Sequence, residues 1–151
     1  MSYSMRAEVR EMIKEDAINS IAGDAYHDAE ERSAMIGPLI DGAIADADGE
    51  IDGYLAKRYA VPLNPVPKVI NKFSKDIAVY NLFSRMGIDE DSDAKIYLTR
   101  YNAAVKYLTM VAEGKVSIGA DADGDPASAA AVGFTVQSNP RLFSREQMEG
   151  M

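Results

Sequence analysis

The single histidine, His27, lies in the run Gly-Asp-Ala-Tyr-His-Asp-Ala-Glu-Glu-Arg, with carboxylates close by on both sides. An imidazole so placed could act as a base or a pH switch. The chain offers it no second histidine and no cysteine, so neither a metal cluster nor a nucleophile–base pair can be assembled around it. A solvated loop histidine accounts for the same residues. Two acidic clusters imitate calcium loops: Asp46-Ala-Asp48-Gly-Glu50 and Asp121-Ala-Asp123-Gly-Asp125. A helix–loop–helix calcium site needs glycine at its sixth position and a bidentate glutamate at its twelfth. Those positions hold Ile51 and Lys57 in the first cluster, and Pro126 and Val132 in the second. Both fail the test. The first reads as the wet face of a helix, because Ala43, Ala47 and Ile51 keep their period through it; the second reads as a soft loop. Carboxylate pairs for acid–base work occur on several helices, but nothing in their spacing singles out one pair. No glycine-rich phosphate loop is present. The expectation is a protein without catalysis, metal or cofactor.

The elements that carry these residues follow from periodicity. Apolar residues recur at helical spacing over 5–21 (Val9, Met12, Ile13, Ala17, Ile21). Residues 23–33 are polar and read as a loop or a short helical piece. Pro38 suits the first turn of a second helix, whose stripe runs from Ile40 to Leu55 and ends near Tyr59. Val-Pro-Leu-Asn-Pro-Val-Pro then predicts an extended, stiff connection. A third helix carries Val69, Ile70, Phe73, Ile77, Tyr80 and Phe83, closed by Gly87. Asp89, Glu90, Asp91 and Asp93 suit the positive end of a fourth helix dipole, and the stripe from Ile96 to Val111 carries that helix to Gly114, a left-handed stop. Beyond Gly114 the pattern changes. Residues 115–118 and 132–136 alternate like strands around a small, acidic loop at 119–131, which predicts a hairpin. The fold class is mainly α: a four-helix-type core over 1–114, with a short β-hairpin and extended C-terminal arm over 115–151.

Composition bounds the function. The chain has 151 residues, 47% of them hydrophobic, enough for one domain with a real core. Its net charge of −8 makes it a poor grip for nucleic acid, where affinity comes from Lys and Arg displacing counterions. No leader pattern and no apolar run of membrane-spanning length is visible, so synthesis and assembly in the cytoplasm are expected.

The remaining motifs make no catalytic sense. The stretch from Ala47 to Leu63 includes Ile51-Asp52-Gly53-Tyr54-Leu55 and Arg58-Tyr59-Ala60-Val61-Pro62-Leu63. It resembles a signature of the Mu-like prophage head–tail connector family. Asp76-Ile77-Ala78-Val79-Tyr80-Asn81-Leu82 is similar to that family's next helix. Tyr101-Asn102-Ala103-Ala104-Val105-Lys106-Tyr107-Leu108 and Gly114-Lys115-Val116-Ser117-Ile118-Gly119 are similar to its following segments. Pro140-Arg141-Leu142-Phe143-Ser144-Arg145 is similar to its terminus.

The resemblance implies a virion subunit at the head–tail interface, made in the host cytoplasm. It would form a homo-oligomeric ring, a dodecamer in the family's pattern, between the portal protein and the stopper or tail-completion protein. DNA would pass through the channel without sequence-specific binding. A small regulatory or scaffold module without catalysis is the alternative.

Two groups of residues follow. Asp52, Tyr54, Arg58, Tyr59, Pro62, Leu63 and Asp76 form the structural motif, with Tyr59, Pro62 and Leu63 in core and turn and Arg58 pairing with Asp76 between helices. Phe134, Val136, Pro140, Arg141, Phe143, Ser144 and Arg145 form the expected contact with the portal or an adjacent subunit. There Phe143 would bury roughly 1.5–3 kcal/mol of apolar surface, and its flanking arginines would make charge-assisted bonds.

Overall fold

The longest helix carries most of the core. In the computed structural model, which describes residues 1–22, 28–87 and 95–119, α3 runs over Ala29–Leu55. At 1.5 Å per residue its 27 residues span about 40 Å. Asp28 caps it, its side chain accepting the Glu30 backbone N–H at 3.3 Å. Glu30 and Glu31 place negative charge on the positive end of the dipole. The expected start at Pro38 is therefore corrected: the proline lies inside the helix. An interior proline removes one backbone bond and costs about 3 kcal/mol. The cap at Asp28 and the burial of Ile36, 2% exposed, hold the helix together upstream of it.

The N-terminal periodicity is also cut in two. α1 covers Arg6–Glu11 and α2 covers Glu15–Ala22. The turn between them is bridged by Arg10 and Glu15 at 3.0 Å. It lets Val9, Ile13 and Ile18 all reach the core, which one straight helix along the side of α3 would not do. His27, in the segment that follows, lies outside the described residues.

Residues 56–67 form turns and bends rather than the extended connection expected of three prolines. The peptide bonds before Pro62 and Pro65 are cis. Leu63 is buried between them, at 1% exposure. α4, Lys68–Ser84, follows. It is the shared wall of the fold: Ile70, Phe73, Ile77, Ala78, Val79, Leu82 and Phe83 are all buried, because α3 covers one side and α5 the other.

α5, Lys95–Ala112, packs antiparallel to α4 through a ladder of aromatic pairs. Phe73 meets Tyr107 with ring centroids 4.9 Å apart, Tyr80 stacks on Tyr101 at 4.1 Å, and Phe83 stacks on Tyr97 at 4.1 Å. As residue numbers rise on α4 they fall on α5, so a single register serves all three pairs. Offset aromatic pairs of this kind add about 0.5–1.5 kcal/mol each beyond the area they bury. The acidic residues expected at the start of this helix, Asp89 to Asp93, lie outside the described residues.

The fold is thus mainly α, as the periodicity predicts, with five helices and no strand among the described residues. Gly114 takes φ +82°, the left-handed stop expected of it. Residues 115–118 follow in irregular conformation, with Ile118 buried; the other half of the expected hairpin, 132–136, lies outside the described residues.

Phe83 ties the ladder to the core, so Phe83→Ala is expected to cost about 3–5 kcal/mol. At about 2–4 °C per kcal/mol for a chain of this size, thermal unfolding should fall by on the order of ten degrees.

Candidate interaction site

The motif residues are joined into two polar junctions. The first is built on Tyr3, 2% exposed, on the short segment ahead of α1. Its hydroxyl donates to an Asp52 carboxylate oxygen and accepts the Leu63 backbone N–H at 2.9 Å. Its backbone N–H donates to Asp48 Oδ2 at 3.2 Å, and its carbonyl accepts from Asn71 Nδ2 at 2.9 Å. One residue therefore ties the N-terminus to α3, to the proline turn and to α4.

Beside it, Ser74 of α4 donates to Asp48 Oδ1 at 2.9 Å. Its single proton is then used, so Ser4 is the donor in the 2.8 Å contact between the two hydroxyls. Both serines are buried. Ser2 adds a bond to Asp48 Oδ2 at 2.8 Å. Glu8 stands at the edge of the junction and accepts from the Met5 backbone N–H and from Asn71. Those two donors hold its carboxyl below the usual range.

This corrects the reading of the acidic stretch 46–50 as a wet face. Asp46 is exposed, but Asp48 is a junction acceptor and Glu50 accepts the Tyr101 hydroxyl at 3.0 Å. Burial first, then that bond, pushes the Tyr101 hydroxyl up to about 12.

The second junction is built on Arg58. Its Nη1 donates to the Val111 carbonyl at 2.9 Å and the Val116 carbonyl at 3.3 Å, and its guanidinium lies over the Tyr59 ring, 5.6 Å from the centroid. Val111 belongs to the last turn of α5, at the negative end of the dipole, where a cation is favoured; its carbonyl also accepts the Gly114 backbone N–H at 3.0 Å. Arg58 therefore caps α5 across the fold.

The expected pair between Arg58 and Asp76 does not form. Asp76 is 4% exposed and takes its ion pair from Lys72, one turn earlier on α4, at 2.6 Å. Arg58 lies just past the end of α3, beside the carbonyls of α5, and those carbonyls claim it.

The other motif residues divide as core and turn. Tyr59 and Leu63 are buried, Tyr54 is half-buried against the core, and Pro62 is exposed at the turn. Tyr3, Ser4 and Ser74 complete the first junction without having been read from the sequence. No periodic pattern marks them, since each is a single polar or aromatic residue whose partners are distant in the chain. The expected contact residues Phe134, Val136, Pro140, Arg141, Phe143, Ser144 and Arg145 lie outside the described residues. The structure does define the point from which their segment leaves. Arg58 holds both sides of Gly114, and Ile118 is buried at 6% exposure just before the described chain ends at Gly119.

Comparison with known proteins adds to this geometry. A family model described as Bacteriophage Mu, Gp36 matches residues 3–137. The match opens on Tyr3, includes both junctions together with Phe134 and Val136, and stops short of Pro140 to Arg145. Gene product J of Escherichia phage Mu is 31% identical over 105 residues, which cover 70% of each chain. The Mu-like prophage FluMu protein gp36 of Haemophilus influenzae is 30% identical over 108 residues, 72% of each chain.

Two outcomes follow from the junctions. Tyr3→Phe leaves the buried Leu63 N–H without its acceptor and should cost about 1–3 kcal/mol in denaturant unfolding. Burial, and then the bond to Asp52, raise the Tyr3 hydroxyl well above the usual phenol range. A raised native value means the contribution is complete below about pH 10, where the unfolded phenol titrates, and is lost as pH rises further. The stability gap between the native chain and Tyr3→Phe should therefore be flat up to about pH 10 and narrow above it. Arg58→Ala, which uncaps α5, should raise amide hydrogen exchange across 111–118 while leaving the α3–α4 core protected.

Proposed function

The chain belongs to the Gp36 family of Mu-like phage proteins, and from that premise we propose that it is a structural virion protein. Its role is that of a head–tail connector, or adaptor, subunit. The family match over residues 3–137 carries the phage part of this reading. The motifs from Asp52 to Leu63, Asp76 to Leu82 and Pro140 to Arg145 carry the connector part by their resemblance to head–tail connectors.

In this role the chain forms a closed ring between the portal and the stopper or tail-completion protein. It is assembled in the host cytoplasm and retained in the virion. The work is binding rather than catalysis, so it calls for no cofactor. A ring of this kind needs a head-to-tail interface whose rotation closes. A net charge of −8 suits a wall around a channel through which DNA must slide without sticking.

Two structural features support the reading. The helical core is braced by the Tyr3 junction, whose members all lie within residues 2–74, so the core can serve as a rigid block. Arg58, Gly114 and Ile118 fix where that third begins, so Phe134 and Val136 and then Pro140, Arg141, Phe143, Ser144 and Arg145 can engage the portal or an adjacent subunit from a defined anchor.

Deleting residues 139–151 should leave a folded chain with unchanged helical content and thermal unfolding, and phage that fail to join heads to tails. Complementation of a null phage with the truncated gene, scored by particle imaging, reads the outcome. Normal maturation and packaging by the truncated chain would remove the C-terminus from the mechanism. Absence of the full-length protein from purified virions would overturn the connector reading itself.

A further inference from the structure

We propose that the exposed face of α3 receives α5 of a neighbouring copy, and that this heterologous contact is the joint between subunits. The proposal rests on the ring reading for its geometry and names the surfaces that make the ring.

Charge is segregated between the two helices. α3 carries seven carboxylates against the single base Arg32; Asp41 is paired with Arg6, and Asp48, Glu50 and Asp52 accept bonds within the subunit. α5 carries Lys95, Arg100 and Lys106 and no carboxylate at all. These three cations are exposed, and among the described residues none forms an ion pair. Arg100 and Lys106 flank a solvent-facing strip of Ile96, Thr99 and Ala103, in which Ile96 is 51% exposed.

The opposing face of α3 has a shape to match. At 100° per residue, Pro38, Gly42, Ala45, Gly49, Gly53 and Ala56 fall on one exposed strip, with the exposed Asp46 along one edge and, along the other, Asp41 paired with Arg6 and Asp52 bonded to Tyr3. The floor of this strip has almost no side-chain bulk. A Cβ built at Gly42, Gly49 or Gly53 meets nothing within 4 Å, and none of the three has a positive φ. The subunit's own packing therefore gives no reason for glycine, which is the poorest helix former after proline. A second helix pressed against the strip does give one, because small residues let two helix axes approach closely. Met35, 40% exposed, adds an apolar contact at one end of the strip.

A basic helix with an apolar centre thus meets an acidic-edged helix with a bare centre. The two faces belong to different helices of the subunit, so each copy offers one face and accepts the other. That is the head-to-tail arrangement a ring requires. The second copy is the occupant the charges select, since the complementary helix is present in the same chain.

Sedimentation velocity of the full chain over a concentration series at low salt tests the contact. The native chain is expected to self-associate, and raised salt should weaken it because the edge pairs are screened. Gly42→Gln/Gly49→Gln should block the α3 face, and Arg100→Glu/Lys106→Glu should repel at the α5 face. Each is expected to weaken association by about tenfold or more. Thermal unfolding separates this from damage to the fold, because glutamine is a better helix former than glycine and both positions are open. The glutamine variant should unfold at the same temperature as the native chain or higher.

Mixing the two variants pairs an intact α5 face with an intact α3 face, and should give a heterodimer that grows no further. A native chain that stays monomeric at its highest soluble concentration overturns the proposal. So does undiminished association of either variant, or a mixture that does not pair. Incorporation of the glutamine variant into virions at full copy number would also overturn it, while leaving the connector reading standing.

Discussion

The hydroxyl of Tyr3 sits between a carboxylate of α3 and a backbone N–H of the proline turn, two parts of the chain that no shared helix holds together. Around it, Asp48, Asn71 and the Ser4–Ser74 pair bring α4 into the same junction. Polar groups at this depth are costly unless every one is matched, and among the described residues no buried side-chain nitrogen or oxygen lacks a partner. Such a network is stiff for the same reason: moving any one member leaves the others unpaired in a poorly hydrated place. The positions of the N-terminus, the proline turn and the first half of α4 therefore depend on one another.

The second half of the molecule is set by a different kind of force. α4 and α5 meet through three aromatic pairs in one register, and the far end of α5 is closed by Arg58 reaching over from the turn just past α3. Apolar contact is tolerant of direction, whereas a guanidinium between two carbonyls is not. The ladder brings the helices together and the arginine fixes where they end. Since α5 leads directly into Gly114 and the C-terminal third, the arginine also fixes where that third departs.

The function argued for this chain uses both properties. A subunit that must bind neighbours around a channel needs a block that keeps its shape, faces that select a partner, and a segment free to engage a second protein. The two junctions supply the first. In the proposed assembly, the bare strip of α3 and the acid-free outer face of α5 would supply the second. Neither face is needed for the subunit's own core, which lies on the opposite sides of the same helices.

Much of this was written in the order of residue types along the chain. The spacing of Ile40, Ala43, Ala47, Ile51 and Leu55 required a helix with one buried face, and Val69 to Phe83 and Ile96 to Val111 required two more, because local periodicity and burial are the same physical fact read at different scales. Gly114 as a left-handed stop followed from its backbone freedom alone. The family motifs marked Asp52, Arg58, Leu63 and Asp76 as a set.

What each motif residue touches was decided only in three dimensions. Arg58 was expected to face Asp76, yet it found the carbonyls at the end of α5, and Asp76 found Lys72. Asp48 looked like solvent-facing charge and proved to be an acceptor for two serines and the Tyr3 backbone. Pro38 looked like a helix start and lies within α3, because a cap ten residues upstream and a buried isoleucine outweigh one lost hydrogen bond. Tyr3 gave no signal at all. A helix pattern depends on neighbours three and four residues apart, which the sequence displays. A hydrogen-bonded junction depends on partners 26 to 70 residues away, and only the packing of the helices brings those together.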